Sequence, residues 1–293
     1  MTPFTPRTEQ QQTYMAPSLS PPVIELAQVS FAYPGAAQRL LDAIDLRVSP
    51  GERVGIIGGN GCGKSTISKL LLGIYPPSSG TVSLYGTPVS WTTNYPDVGY
   101  IGDPGHNAQE LGLPIRLTVA ELIDTYGALC RLKAPQTDTA TIRQQLRLGE
   151  IEGRLIGHLS TGERKRVMAA LVFMSAPTLL ILDEPFDGLD VDIVQHIHEH
   201  LDRLLGDSHR TLLLISHSRI EIDTYADEVY RIQQQKLIPV VRPTYTGRIE
   251  YGSASESIEG LPGKVLGRLD TLLDTPRPDA SLRLTLTPQP TGE

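Results

Sequence analysis

GGNGCGKST, residues 58–66, decides the fold. It fits the pattern G-x-x-x-x-G-K-[ST], with Gly58, Gly63, Lys64 and Ser65 at the fixed positions. Small residues at Gly58, Gly59, Asn60, Gly61, Cys62 and Gly63 let successive backbone N–H groups turn inward and cradle phosphate oxygens. Lys64 then reaches the terminal phosphates as a point charge. The Ser65 hydroxyl, followed by Thr66, is of the kind that ligates Mg²⁺. A helix beginning near Gly63 adds the positive end of its dipole. The flanks agree: Arg53–Ile57 (RVGII) reads as a short buried strand, and Ser65–Leu72 reads as a helix. A chance glycine turn would not need both.

Further along, TLLILDEPFDGLD runs from Thr178 to Asp190. Leu179–Leu182 is an apolar strand that ends in two carboxylates. Asp183 stands where a strand end can meet Mg²⁺, and Glu184 stands one step beyond, where a carboxylate can orient and deprotonate an attacking water. Taken alone, acids at a strand end also serve ordinary solvation. HLSTGERKRV (His158–Val167) precedes this run and LLLISHS (Leu212–Ser218) follows it.

In this order the motifs resemble the ATP-binding-cassette (ABC) ATPase family over roughly residues 23–241. The resemblance implies an α/β fold: a P-loop NTPase core with a mixed β-sheet subdomain and an inserted α-helical subdomain, here about 104–157. LSTGERKRV is similar to the family signature LSGGQ; Ser160 and Gly162 are retained, while Thr161 and Glu163 depart. By the same carry-over Asp190 is the acid of the D-loop, and His217 is the switch histidine that contacts the γ-phosphate. Tyr33, in SFAYPG, falls where the family stacks an aromatic on adenine; a strand tyrosine also packs across strands. In VGYIGDPGHNAQ the family's Mg²⁺-coupling glutamine is replaced by Asp103, with Gln109 six residues later. A carboxylate can ligate Mg²⁺, though it brings negative charge near a triphosphate. The implied ligands are ATP and Mg²⁺. The implied partners are a second cassette, identical or paralogous, and an integral-membrane permease that holds the chain peripherally at the cytoplasmic face of the membrane.

Composition fits. The 293 residues are 40% hydrophobic, enough for a sizeable core. A net charge of −7 argues against a nucleic-acid binder, since phosphate backbones reward clustered Lys and Arg. The compact basic run Arg164-Lys165-Arg166 reads as a solvated helix face. Two cysteines, Cys62 and Cys130, make no disulfide framework and suit a reducing cytosol. Cys62, between two glycines, is expected to turn its sulfur toward the phosphates, and Cys130 to pack inertly. Val167–Leu182 is broken by Ser175 and Pro177 and falls short of a membrane span.

Residues 1–22, rich in Thr, Pro, Gln and Ser, read as a disordered leader without a secretory signal. Val119, Leu122, Ile123, Tyr126 and Leu129 recur at helical spacing within the insert. Val191–Leu205 reads as a helix carrying His196, His198 and His200. With no Cys or Asp cluster nearby, they read as a solvated face rather than a metal site. Residues 242–293 carry a helical stripe (Val265, Leu266, Leu269, Leu272, Leu273) and a strand-like alternation (Leu282, Leu284, Leu286). They read equally as an accessory element or a partly ordered tail.

Two functional classes compete. The first is the ATPase subunit of a membrane transporter with separately encoded permease. The second is a soluble ABC ATPase acting on DNA or ribosomes. The latter resemble this core but carry long coiled coils between the nucleotide motifs, or two cassettes per chain. Here one phosphate loop occurs, and residues 67–178 leave room for the helical insert alone. The absence of an NKxD guanine-reading motif speaks against a GTPase. LTVAELIDTYGALCRL (117–132) and the short tail favour export over import.

Overall fold

The computed structural model describes residues 21–90, 97–102, 113–133, 138–206, 209–242, 245–251, 254–260 and 282–288. In chain order the first elements are β1 (Ile24–Phe31), β2 (Leu41–Val48), β3 (Arg53–Ile57), α1 (Lys64–Leu71), β4 (Ser79–Leu84), β5 (Thr87–Pro88) and β6 (Val98–Ile101). Next come α2 (Val119–Lys133), α3 (Thr139–Gln145), α4 (Thr161–Ser175), β7 (Leu179–Asp183), α5 (Val191–Gly206), β8 (Thr211–Ile215) and α6 (Arg219–Tyr225). Then follow β9 (Glu228–Gln233), β10 (Lys236–Pro239), β11 (Tyr245–Tyr251), β12 (Ala254–Gly260) and β13 (Leu282–Pro288).

The main sheet has the order β10-β9-β3-β8-β7-β6. β3, β6, β7, β8 and β9 run parallel, and β10 closes one edge antiparallel. Both faces are covered, as an all-apolar parallel strand requires. Leu180 and Leu182 of β7, with Leu212 and Leu214 of β8, face one apolar cluster with α2, α4 and α5. Leu179, Ile181, Leu213 and Ile215 point the other way, into a cluster with β1, β2, β4 and α1. This period-two division sets the sheet as a partition between two cores. The second cluster is roofed by an antiparallel sheet of order β2-β1-β4-β5.

The insert holds α2 and α3. Val119, Leu122 and Ile123 are buried, as the apolar spacing demands, but Leu129 is 57% exposed and Cys130 is buried in its place. From Tyr126, at about 100° per residue, position 130 stays on the inner face and 129 rotates off it.

α4 starts on a reciprocal cap. Ser160 Oγ accepts from Glu163 N, and Glu163 Oε2 accepts from Ser160 N at 2.8 Å. It is the S-x-x-E capping box, which satisfies two backbone donors at once. The departure of Glu163 from the signature thus has a local structural use. Arg154 also pairs with Glu163. The helix ends at Ala176, in the left-handed region at φ 46, just before Pro177.

In the tail, Leu282, Leu284 and Leu286 lie on β13, within a three-stranded antiparallel sheet of order β12-β11-β13. The helical stripe at 265–273 lies outside the described residues. No helix among the described residues is long and apolar enough to cross a membrane.

Candidate functional site

The carboxyl ends of β3, β7 and β8 meet on one edge of the main sheet, the usual place for ligands in open α/β sheets. β3 delivers the glycine-rich loop, β7 delivers Asp183 and Glu184, and β8 delivers His217. Between them is a cleft of about 550 Å³ lined by Asn60, Gly61, Gly63, Lys64, Ser65, Thr66, Glu184 and His217, with Tyr33 at its rim.

The loop folds this way because its glycines permit it. Gly63, the N-cap of α1, has φ 108, and a methyl group there would stand 2.9 Å from Leu41 Cδ2. Lys64 Nζ donates to the carbonyl oxygens of Gly58 at 2.9 Å and Gly59 at 3.3 Å. It also stands 3.7 Å from Glu184 Oε1. The expected inward turn of Cys62 does not occur. Its sulfur packs with the apolar cluster beneath the loop, 2.5 Å from where a Cβ on Gly58 would stand. The sulfur is soft and weakly polar and packs there while the residue stays partly exposed.

Asp183 is 1% exposed. One carboxylate oxygen accepts from Ser65 Oγ at 3.0 Å, the other from Ser68 Oγ at 2.7 Å. Burial pushes its carboxyl above the usual range, and the two hydroxyls oppose that shift. Ser65 and Asp183 form a hard, oxygen-only donor pair, the chemistry Mg²⁺ takes.

Glu184 has φ 46, an uncommon backbone for a non-glycine residue. Its N–H donates to Ile215 O at 2.8 Å. Its Oε2 accepts from His217 N at 3.1 Å and lies 2.9 Å from His217 Nδ1. This contact, together with the charges of Glu184 and Asp187, holds the His217 imidazole above its ordinary pKa. Glu184, Asp187 and His217 each place a ligand atom within 4.8 Å of the others. Because one donor is an imidazole nitrogen, that trio is a poorer match to Mg²⁺ than Ser65 with Asp183.

Tyr33 is 40% exposed. Its ring stands edge-on to Phe31 and Tyr75, and its hydroxyl lies 3.2 Å from Thr66 Oγ1. Its position at the cleft rim leaves the ring able to meet a flat heterocycle. Ser160, Gly162 and Asp190 do not line the cleft. Ser160 and Asp190 are exposed, and Gly162 sits against Gly188, where a methyl group would come 2.7 Å from the carbonyl oxygen. Asp103 lies outside the described residues.

Leu40, Asp187 and Ser68 were not anticipated. Ser68 was legible in retrospect: it lies three residues after Ser65, hence on the same face of α1. Two solvated-face readings are corrected. Lys165 and Arg166 are buried, at 2% and 8% exposure, because α4 is enclosed between β6, α2 and α5. His200 is buried, stacked on Phe173 and 2.7 Å from Gln145 Oε1, and burial drives its pKa down to about 4. His198 stacks on Phe186 and stands 2.6 Å from the Tyr225 hydroxyl. His198 and His200 are packing groups covered by Phe173, Phe186 and Tyr225, whereas His196 stays part-exposed beside Glu199, 34% accessible.

A family model described as ABC transporter matches residues 41–187. The zinc uptake system ATP-binding protein ZurA of Listeria monocytogenes is 32% identical over 221 residues, covering 73% of this chain and 83% of that protein. The Nod factor export ATP-binding protein I of Rhizobium johnstonii is 31% identical over 231 residues, covering 77% and 71%. A solved ATP-binding subunit of an ABC transporter aligns at TM-score 0.58 and 23% identity, over 85% of this chain and 93% of that one, which bears on the fold. With phosphate loop, acidic strand end and histidine in one cleft, and relatives matching along most of its length, this chain belongs to the ABC transporter family, as an ATP-binding subunit.

Proposed function

We propose that residues 23–241 form a Mg²⁺-dependent ATPase cassette that closes on a second cassette and drives a separately encoded integral-membrane permease, to which it is bound peripherally. The observation that carries this reading is the meeting of Lys64, Ser65 and the Glu184–His217 pair in one cleft, with Asp183 buried behind Ser65.

Each residue has a role. The loop N–H groups and Lys64 bind the phosphates; on ATP entry Lys64 exchanges the Gly58 and Gly59 carbonyls for charge-assisted bonds. Tyr33 stacks on adenine. Ser65 and Asp183 would hold Mg²⁺, which when bound offsets triphosphate charge. Glu184 orients a water and takes its proton, while His217 positions the Glu184 carboxylate and meets the terminal phosphate. Ser160, Gly162 and Asp190, away from the cleft of their own chain, serve the cleft of the partner cassette. ATP then binds the closed pair better than the open one, as a ligand must if it is to shift that equilibrium.

The expectation of export rested on the α2 region and on tail length. Relatives named for uptake and for export match at 32% and 31% identity, so similarity does not choose between the two directions. The proposal therefore concerns the ATPase engine, with direction assigned to the permease. Glu184→Gln tests it: ATP binding is retained, hydrolysis falls about 10²–10⁴-fold, and the ATP-bound dimer persists on size exclusion. Near-normal turnover would remove Glu184 from its role.

A further inference from the structure

Lys165 is a long cationic side chain at 2% exposure, in the second turn of the helix that begins at the signature. Burying an ammonium is costly unless its donors are used. Here Nζ donates to the carbonyl oxygen of Glu184 at 2.6 Å and to that of Asp187 at 2.8 Å. Those two carbonyls bracket the turn that follows β7. The turn is otherwise closed by Asp187 N donating to Glu184 O at 3.3 Å. It includes Glu184 at φ 46, a conformation that a non-glycine residue holds only when its surroundings fix it.

We propose that Lys165 is a positioning residue for hydrolysis: its ammonium pins the Glu184–Asp187 turn so that the Glu184 carboxylate faces Lys64 and His217. The inference rests on the role given to Glu184 above. Lys165 lies outside the cleft; it holds the Glu184 backbone directly, and its charge also favours the ionised form of Asp183. It also joins two parts of the machine. The first turn of α4 carries Ser160 and Gly162, assigned to the partner's cleft, and Lys165 one turn later holds the hydrolytic turn of its own chain. A shift of α4 on dimer closure is thereby passed to Glu184 of the same subunit.

Two substitutions separate positioning from packing. Lys165→Met keeps length and removes the donors; Lys165→Gln supplies an amide with two donors and no charge. The full-length chain is assayed at 25 °C for kcat and KM with Mg-ATP, for nucleotide affinity, and for melting temperature. Lys165→Met should lower kcat about 10–100-fold, the cost of a misplaced catalytic group, with nucleotide affinity within about twofold of wild type. Lys165→Gln should recover most of that kcat. Ile197→Val, a core change in the same apolar cluster, should lower the melting temperature while leaving kcat unchanged. Lys165→Met with wild-type kcat overturns the inference, as does a Gln variant as impaired as Met. If Lys165→Met does not fold, Lys165→Leu takes its place as the donor-free variant: a kcat about tenfold or more below that of Lys165→Gln, at nucleotide affinity within about twofold, supports the inference, and equal kcat in the two overturns it. Glu184→Gln run alongside keeps the two readings apart. An inactive Glu184→Gln with a fully active Lys165→Met defeats only the positioning role, whereas an active Glu184→Gln defeats both.

Discussion

The Ser65 hydroxyl lies 3.0 Å from a carboxylate oxygen of Asp183, 118 residues away in the chain. The carboxylate is buried and its ionised form is disfavoured by that burial. A carboxyl whose folded-state pKa is raised contributes stability that is complete below its unfolded value and is lost as pH rises through the folded one. Ionised Asp183 is therefore a cost to the empty protein, kept for what it binds.

Asp183→Asn should accordingly raise the melting temperature of the nucleotide-free protein at pH 7 and narrow the gap to wild type as pH falls. The same change should weaken the Mg²⁺ half-saturation of ATP hydrolysis by at least about tenfold. Thermal denaturation across pH and a Mg²⁺ titration of turnover check the two halves. A variant less stable than wild type at pH 7 would contradict the first.

Tyr33→Ala should weaken ATP binding by about 1–3 kcal/mol, by analogy with base–aromatic stacking elsewhere. Tyr33→Trp should be nearly neutral. Tyr33→Phe loses only the hydroxyl contact to Thr66 and should also stay close to wild type. Fluorescent-nucleotide titration distinguishes them; a Phe variant as weak as Ala would transfer the effect from ring to hydroxyl.

His217 should titrate above 6.5 in the nucleotide-free protein, chiefly because its ring is hydrogen-bonded to the Glu184 carboxylate. The pair's contribution is complete below that ordinary value and lost as pH rises through the elevated one. In Glu184→Gln the midpoint should fall back toward 6.5. NMR of the imidazole protons reads both values, and an unmoved midpoint would show that Glu184 is not the partner that matters.

Much of the cleft was legible because its parts are contiguous. The phosphate loop, its strand and its helix occupy one short run, so backbone sterics and glycine spacing fix them locally. Arg53–Ile57 carries the bounds read from its apolar run. What stayed hidden depended on which side of an element another element covers. Lys165 and His200 look like surface residues by type. They are buried because neighbouring elements enclose their helices, a tertiary fact with no local signature. Cys62 was misread for the same reason: the spacing places its backbone in the loop, but only the cluster beneath says where sulfur goes. β11 and β12 were missed although Gly252-Ser253 separates two alternating runs, a hairpin signal in the sequence itself.

The strand order has a consequence for synthesis. β3, which carries the phosphate loop, has no sequence-adjacent neighbour in its sheet: Arg53 pairs with Leu212, and Val54 with Glu228. A ribosome adding about 5–20 residues per second makes the loop roughly ten to thirty seconds before it makes the strands that flank it. Throughout that interval an apolar run is without its partners, and the loop lacks the frame that shapes it. The sheet around β3 can be completed only after residue 233, the end of β9, has been made. For this cassette, a motif made early in the chain is completed late.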